Sequence, residues 1–290
     1  MATVRAMIRK PLFLVSGLAL ATGLLAQTPK IEFPAPSPAA TVKQRVGLTD
    51  VDVVYSRPGM KGRTIFGDLV PYGKVWRTGA NAATRITFST AVKLNGVAIP
   101  AGTYGLYTIP GKSEWTVIFD KDSKIWGAYS YDPKNDLVRF KATPVELAEP
   151  VETFTIEFGD LRNTSATLNL IWEKTLVPLH LEVDFVPQVL GQIDAAMAGT
   201  GKKPYASAAQ FYLDSGLDLK KALTWADAAL AERPAAFNLA LLRARILAKQ
   251  GDREGALAAA NQAIALAQKA HNAETDEYVR LSQDFIRTLR

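Results

Sequence analysis

The strongest constraint in this sequence is a change of period at Pro187. Upstream of it, apolar residues fall on alternate positions, the pattern of strands that bury one face. Val51, Val53 and Tyr55 share a parity, as do Ile86, Phe88, Thr90 and Val92, then Trp115, Val117 and Phe119. Phe154, Ile156 and Phe158 repeat it, followed by Leu168, Leu170 and Trp172, and by Leu179, Leu181, Val183 and Phe185. Asn95-Gly96 stands between two short apolar runs, a hairpin signal, because both turn positions need positive φ. Pro100-Ala101-Gly102 and Pro110-Gly111-Lys112 punctuate the next strands. Successive short strands joined by tight turns argue an antiparallel β-sandwich or flattened barrel over residues 46–186, not a parallel α/β sheet.

Downstream, alternation disappears and alanine, the best helix former, becomes abundant. Ala222, Leu223, Ala226, Ala229 and Leu230 recur 34 residues later as Ala256, Leu257, Ala260, Ala263 and Ile264. Small residues at that period let paired helices approach closely, and the spacing resembles the tetratricopeptide repeat. Helices are predicted near 205–216, 219–232, 235–250, 253–270 and 273–289. The last carries an apolar stripe of Tyr278, Leu281, Phe285 and Leu289 that suits a cap. The fold class is therefore α+β multidomain: a β-sandwich, a linker with a short helix over 187–204, and a tetratricopeptide-like hairpin array over 205–290.

The first 26 residues read as a signal peptide. Arg5, Arg9 and Lys10 precede an uncharged run from Leu12 to Ala26, shorter than the roughly 20 residues a membrane span needs. Residues 27–45 contain Pro29, Pro34, Pro36 and Pro38 and read as an extended tether. An exported protein, periplasmic or extracellular, with no membrane span after signal removal, is the expectation. The formal charge is +6 over 290 residues, and three of the positive charges fall in that leader. The remainder is thinly spread, so no nucleic-acid face is expected. The absence of cysteine excludes disulfides, thiol nucleophiles and Cys-ligated metals.

A distinctive stretch runs through Tyr55-Ser56-Arg57-Pro58, Lys61-Gly62-Arg63, Ile65-Phe66-Gly67 and Leu69-Val70-Pro71-Tyr72-Gly73. It continues as Val75-Trp76-Arg77-Thr78-Gly79-Ala80-Asn81, with Pro100-Ala101-Gly102-Thr103-Tyr104, Trp126-Gly127-Ala128-Tyr129 and Tyr131-Asp132 further on. Over about residues 42–186 the chain resembles a family of secreted bacterial proteins known as domain of unknown function 2911. That resemblance implies no established activity and carries over no catalytic residue. It implies that a shared surface lies on the Arg57–Thr84 loops and the Trp126–Asp132 loop.

Arg57, Lys61, Arg63, Lys74, Arg77 and Arg85 crowd one region against Asp68 alone. Guanidinium forks suit carboxylates and phosphates, and tryptophans in loops can stack on a ligand. The candidate ligand-binding set is Arg57, Arg63, Trp76, Arg77, Asn81 and Trp126, for a small anionic or glycan-like ligand. Two structural alternatives stand beside it: the arginines pair with Asp50, Asp52 or Asp68, and the loop tryptophans plug one end of the sandwich.

His180, Glu182 and Asp184 share one strand face about 7 Å apart, but one imidazole is too few for a usual catalytic metal site. Asp132, Asn135 and Asp136 make a weak calcium pattern interrupted by Lys134. No Gly-x-Ser-x-Gly element suggests a serine nucleophile. No metal, cofactor or catalytic residue is assigned, and an enzyme is the disfavoured reading. The expectation is a non-catalytic binding or scaffold protein, with sandwich loops for the ligand and helical repeats for a protein partner. A carboxylate-based hydrolase of envelope or extracellular glycans and a purely structural envelope protein are the alternatives.

Overall fold

The structure, a computed structural model, describes residues 32–270 and 274–289. The expected signal peptide, the start of the tether and His271 lie outside the described residues. Among the described residues ten strands precede six α-helices, so the α+β expectation holds. In chain order the strands are β1 (Ala39–Val46), β2 (Thr49–Ser56), β3 (Thr84–Phe88), β4 (Val92–Leu94) and β5 (Val97–Ile99). They continue as β6 (Gly102–Ile109), β7 (Trp115–Asp120), β8 (Asp136–Ala142), β9 (Val145–Gly159) and β10 (Ser165–Val183). Two antiparallel sheets result: six strands in the order β1-β2-β3-β6-β7-β8, and four in the order β5-β4-β10-β9.

Three departures from the sequence pattern have local causes. The tether assigned to 27–45 is too long, because β1 begins at Ala39 and pairs with β2 along its whole length. Charged residues mask its alternation, yet those same charges fix its register: Lys43 meets Asp52 at 2.9 Å and Arg45 meets Asp50 at 2.8 Å. The single run drawn through Ile86 to Val92 is two strands in different sheets. The chain crosses at 89–91, where Ser89 Oγ accepts the Asp50 amide at 2.7 Å and the Thr49 and Thr90 hydroxyls lie 2.6 Å apart. Conversely, the two runs at 168–172 and 179–185 belong to one strand through Val183, β10. Its buried parity changes between Trp172 and Val177, and Glu173, at φ 53°, sits between two register shifts.

Inward residues of both sheets form one apolar cluster, including Val51, Val53, Ile86 and Leu106 from the larger sheet and Leu168, Leu170, Leu179 and Leu181 from the smaller. An aromatic group anchors one end of it. Trp76 stacks on Trp172 with centroids 5.8 Å apart, and Phe66 meets Trp115 edge-on at 4.9 Å. Such pairs add to the burial of large apolar area.

The helices are α1 (Val186–Ala198), α2 (Tyr205–Asp214), α3 (Leu219–Glu232), α4 (Phe237–Gln250), α5 (Arg253–Ala270) and α6 (Thr275–Thr288). From α2 onward, each packs against the next. The recurring alanines explain why: Ala222, Ala226 and Ala229 on α3, and Ala256, Ala260 and Ala263 on α5, are all buried. A larger side chain at these contacts forces neighbours off their rotamers.

Candidate functional site

The six singled-out residues separate in space. Arg57 Nε donates to the Phe154 carbonyl at 3.1 Å and its Nη2 to Thr155 Oγ1 at 2.7 Å, tying its loop to β9. Arg63 closes its own turn, donating to the carbonyls of Met60 at 2.9 Å and Gly59 at 2.7 Å. Neither uses an aspartate. Asp50 and Asp52 instead take Arg45 and Lys43 from β1. Trp76 is only 7% exposed, and its Nε1 donates to the Gly79 carbonyl at 3.0 Å. Enclosed by Phe66, Trp115, Phe154 and Trp172, it is part of the core and cannot act as a stacking wall. Arg77 lies next to it with a buried Nε that has no partner among the described residues.

Asn81 and Trp126 do come together. The Trp126 backbone bridges to Ala82, and the Gly127 amide donates to the Asn81 carbonyl at 3.1 Å. Asn81 adopts φ 59°, which asparagine tolerates better than most residues. Its Nδ2 lies 3.2 Å from both the Ser37 carbonyl and Ser56 Oγ. These contacts fix the loop junction, while the Trp126 side chain remains 66% exposed. Tyr129, three residues on, is 87% exposed.

Beside this junction runs a groove of about 360 Å³. Val54, Ala82 and Ala83 give it apolar surface, Ser56 and Ser123 give hydroxyls, and Arg85 and Lys124 give cations. Neither cationic head has a hydrogen-bond or ion-pair partner among the described residues. Arg85 pairs in register with Val54 across β2 and β3, so its stem rises from a rigid sheet. It did not enter the candidate set, although its position out of phase with Ile86 and Phe88 marks it as outward-facing. Lys124 comes from a distant loop and carried no such signal.

A polar cluster occupies the outer side of the same sheet. Tyr131 donates to Asp136 at 2.7 Å and accepts from Arg139 Nη2 at 2.7 Å, and Arg139 also pairs with Asp136. Asp132 Oδ1 accepts the Lys134 amide at 3.0 Å, so both aspartates of the weak calcium pattern have structural bonds. Asp120 is fully buried, and one of its oxygens has no partner among the described residues. Burial raises its pKa; the hydrogen bond from the Asp122 amide opposes the rise, while the charges of Asp136, Asp122 and Asp132 add to it. Sealed from solvent, this carboxyl offers no acid to a substrate in the groove. On the smaller sheet, His180 Nε2 lies 3.3 Å from Glu182 Oε1 on an exposed face, while Asp184 accepts the Val186 amide at 3.0 Å. Among the described residues no group of three or more His, Asp or Glu residues is placed to hold a metal ion.

The family described as Protein of unknown function (DUF2911) matches residues 37–181, half of the chain. The chain belongs to it. No curated protein and no solved structure matches the sequence. The DUF2911 segment starts just before β1 and ends within β10, so it contains the groove, Asn81 and Trp126. The six helices follow it. Among the described residues no helix is long and apolar enough to cross a membrane.

Proposed function

We propose that this DUF2911 protein is an exported, non-catalytic binding protein whose groove beside Trp126 takes a small anionic or glycan-like ligand. In this reading the two sheets form a β-sandwich that presents the groove. The helices form a tetratricopeptide-like array that engages a protein partner. The observation that carries the ligand reading is a partly apolar groove lined by two unpaired cations, with Ala82 of its wall bridged through the backbone to Trp126, whose indole is exposed. An aromatic face stacks on a sugar or planar ring, while Arg85 and Lys124 are free to bond an anionic group without first breaking an internal ion pair. Export rests on the basic-apolar leader at 1–26. The partner reading rests on the 34-residue alanine repeat, whose buried small residues bring successive helices close.

A thermal-shift screen of the purified mature protein against sugars, peptidoglycan fragments and phosphate compounds tests the groove. The expected result is a stabilising ligand whose shift disappears in Trp126→Ala and falls steeply in Arg85→Ala, with the unliganded melting temperatures nearly unchanged. A ligand shift that survives both substitutions removes the groove from the mechanism.

A further inference from the structure

We infer that a cavity at one end of the two sheets is a second binding site, for a small hydroxylated carboxylic acid, separate from the groove beside Trp126. The cavity holds about 230 Å³ and opens among the β6–β7 turn, the β8–β9 turn and the middle of β10. Phe66, Tyr72 and Trp115 give it aromatic walls, Lys112 and Lys174 give cations, and Glu146 gives a carboxylate. It shares no lining residue with the groove. At roughly 30 Å³ per water it has room for about seven waters, enough for one substituted six-membered ring.

Two features build the walls. Gly67 sits at φ 97°, and a Cβ there lies 2.7 Å from the Tyr72 ring, so only glycine lets that ring pack against the chain. Glu173 lies inside a strand in the left-handed region, with a register shift on each side. A glutamate persists there only where its surroundings over-determine it, and bulges of this kind recur where a strand re-aims side chains at a site. Here the bulge has two effects. The Glu173 carboxylate faces the amides of Ile65 and Phe66 at 3.5 and 3.4 Å, holding Phe66 on the cavity wall. The next two residues, Lys174 and Thr175, line the cavity.

Charge selects the ligand class. The charged ends of Lys112, Lys174 and Glu146 have no hydrogen-bond or ion-pair partner among the described residues. The two lysines outnumber the one carboxylate, so the lining keeps a net positive charge that an anionic ligand would neutralise. Glu146 accepts hydrogen bonds and suits hydroxyl groups, while aromatic walls suit the apolar face of a ring. A ring bearing one carboxylate and several hydroxyls, as in a sugar acid, meets all three requirements.

Isothermal titration of the mature full chain with glucuronate, with glucose as the neutral comparator, tests the site. Glucuronate should bind, and glucose should bind at least about tenfold more weakly, as expected for loss of charge-assisted hydrogen bonds. The exposed pair Lys112→Ala/Lys174→Ala should weaken glucuronate by a similar factor without lowering the melting temperature. Arg85→Ala/Trp126→Ala should leave it unchanged. Equal binding of the two sugars, retained affinity in the lysine variant, or no glucuronate binding at millimolar concentration overturns the inference. Loss of binding in the Arg85/Trp126 variant alone moves the acid to the groove, which overturns this site and leaves the proposed function standing.

Discussion

Asp120 links stability to pH. It is fully buried on β7, with one oxygen accepting the Asp122 amide at 2.7 Å and the other unpartnered among the described residues. Desolvation, reinforced by neighbouring aspartates, raises its pKa, so the folded state keeps the proton to a higher pH than the unfolded chain does. The linked stability is fully present below the ordinary value of 3.8 and is lost as pH rises through the raised folded value. Asp120→Asn preserves an acceptor for the Asp122 amide and removes the charge. It should melt above the parent at about pH 7, with the gap closing towards about pH 4, as thermal unfolding across that range would record. A parent that is the more stable at neutral pH would mean the ionised carboxylate has a favourable partner. Tyr107, fully buried on the neighbouring strand, extends the argument to alkali. Desolvation, then the nearby charge of Asp120, pushes its hydroxyl from 10.0 to about 12, so its linked stability is present below the lower value and lost between the two.

At the scale of elements, turns and bulges decide what each strand can reach. Gly47 makes the turn between β1 and β2 at φ 56°, and a Cβ there lies 2.7 Å from both the Asn163 carbonyl and the Phe185 ring. Gly47→Ala should therefore destabilise by about 1–3 kcal/mol, read as a shift in the urea midpoint at constant slope. A neutral result would show that the Asn163 loop and Phe185 move aside. The sheets were legible in sequence wherever one apolar parity ran unbroken, as in β7, or where a turn pair forced positive φ, as at Asn95 and Gly96, with φ 48° and 79°. The switch from even to odd buried positions along β10 was also written in the sequence, and an unpaired residue between Trp172 and Val177 was its physical meaning. β1 was not legible, because its charged outer positions resemble solvated loop until Asp50 and Asp52 are known to lie opposite. For the candidate site, residue type alone drew attention to every loop arginine, but carbonyl partners claim Arg57 and Arg63. Packing claims Trp76 in the same way.

At the scale of the whole molecule, Phe185 meets both halves. Buried clusters upstream end at Val183, those downstream begin at Ile193, and Phe185 packs on the first while its ring lies 6.4 Å from that of Phe211 on α2. Phe185→Ala should separate the unfolding of sheets and helices into two calorimetric transitions, whereas the parent should show them coupled. Coincident transitions in the variant would assign the coupling to other contacts. The distribution of indoles has a practical consequence at the same scale. Trp76, Trp115, Trp172 and Trp225 are buried, and Trp126 is the only one of the five tryptophans that stands out in solvent. An iodide ion in solution can therefore collide with a single emitter, so the quenchable part of the native fluorescence is a built-in optical gauge of whatever covers this one loop.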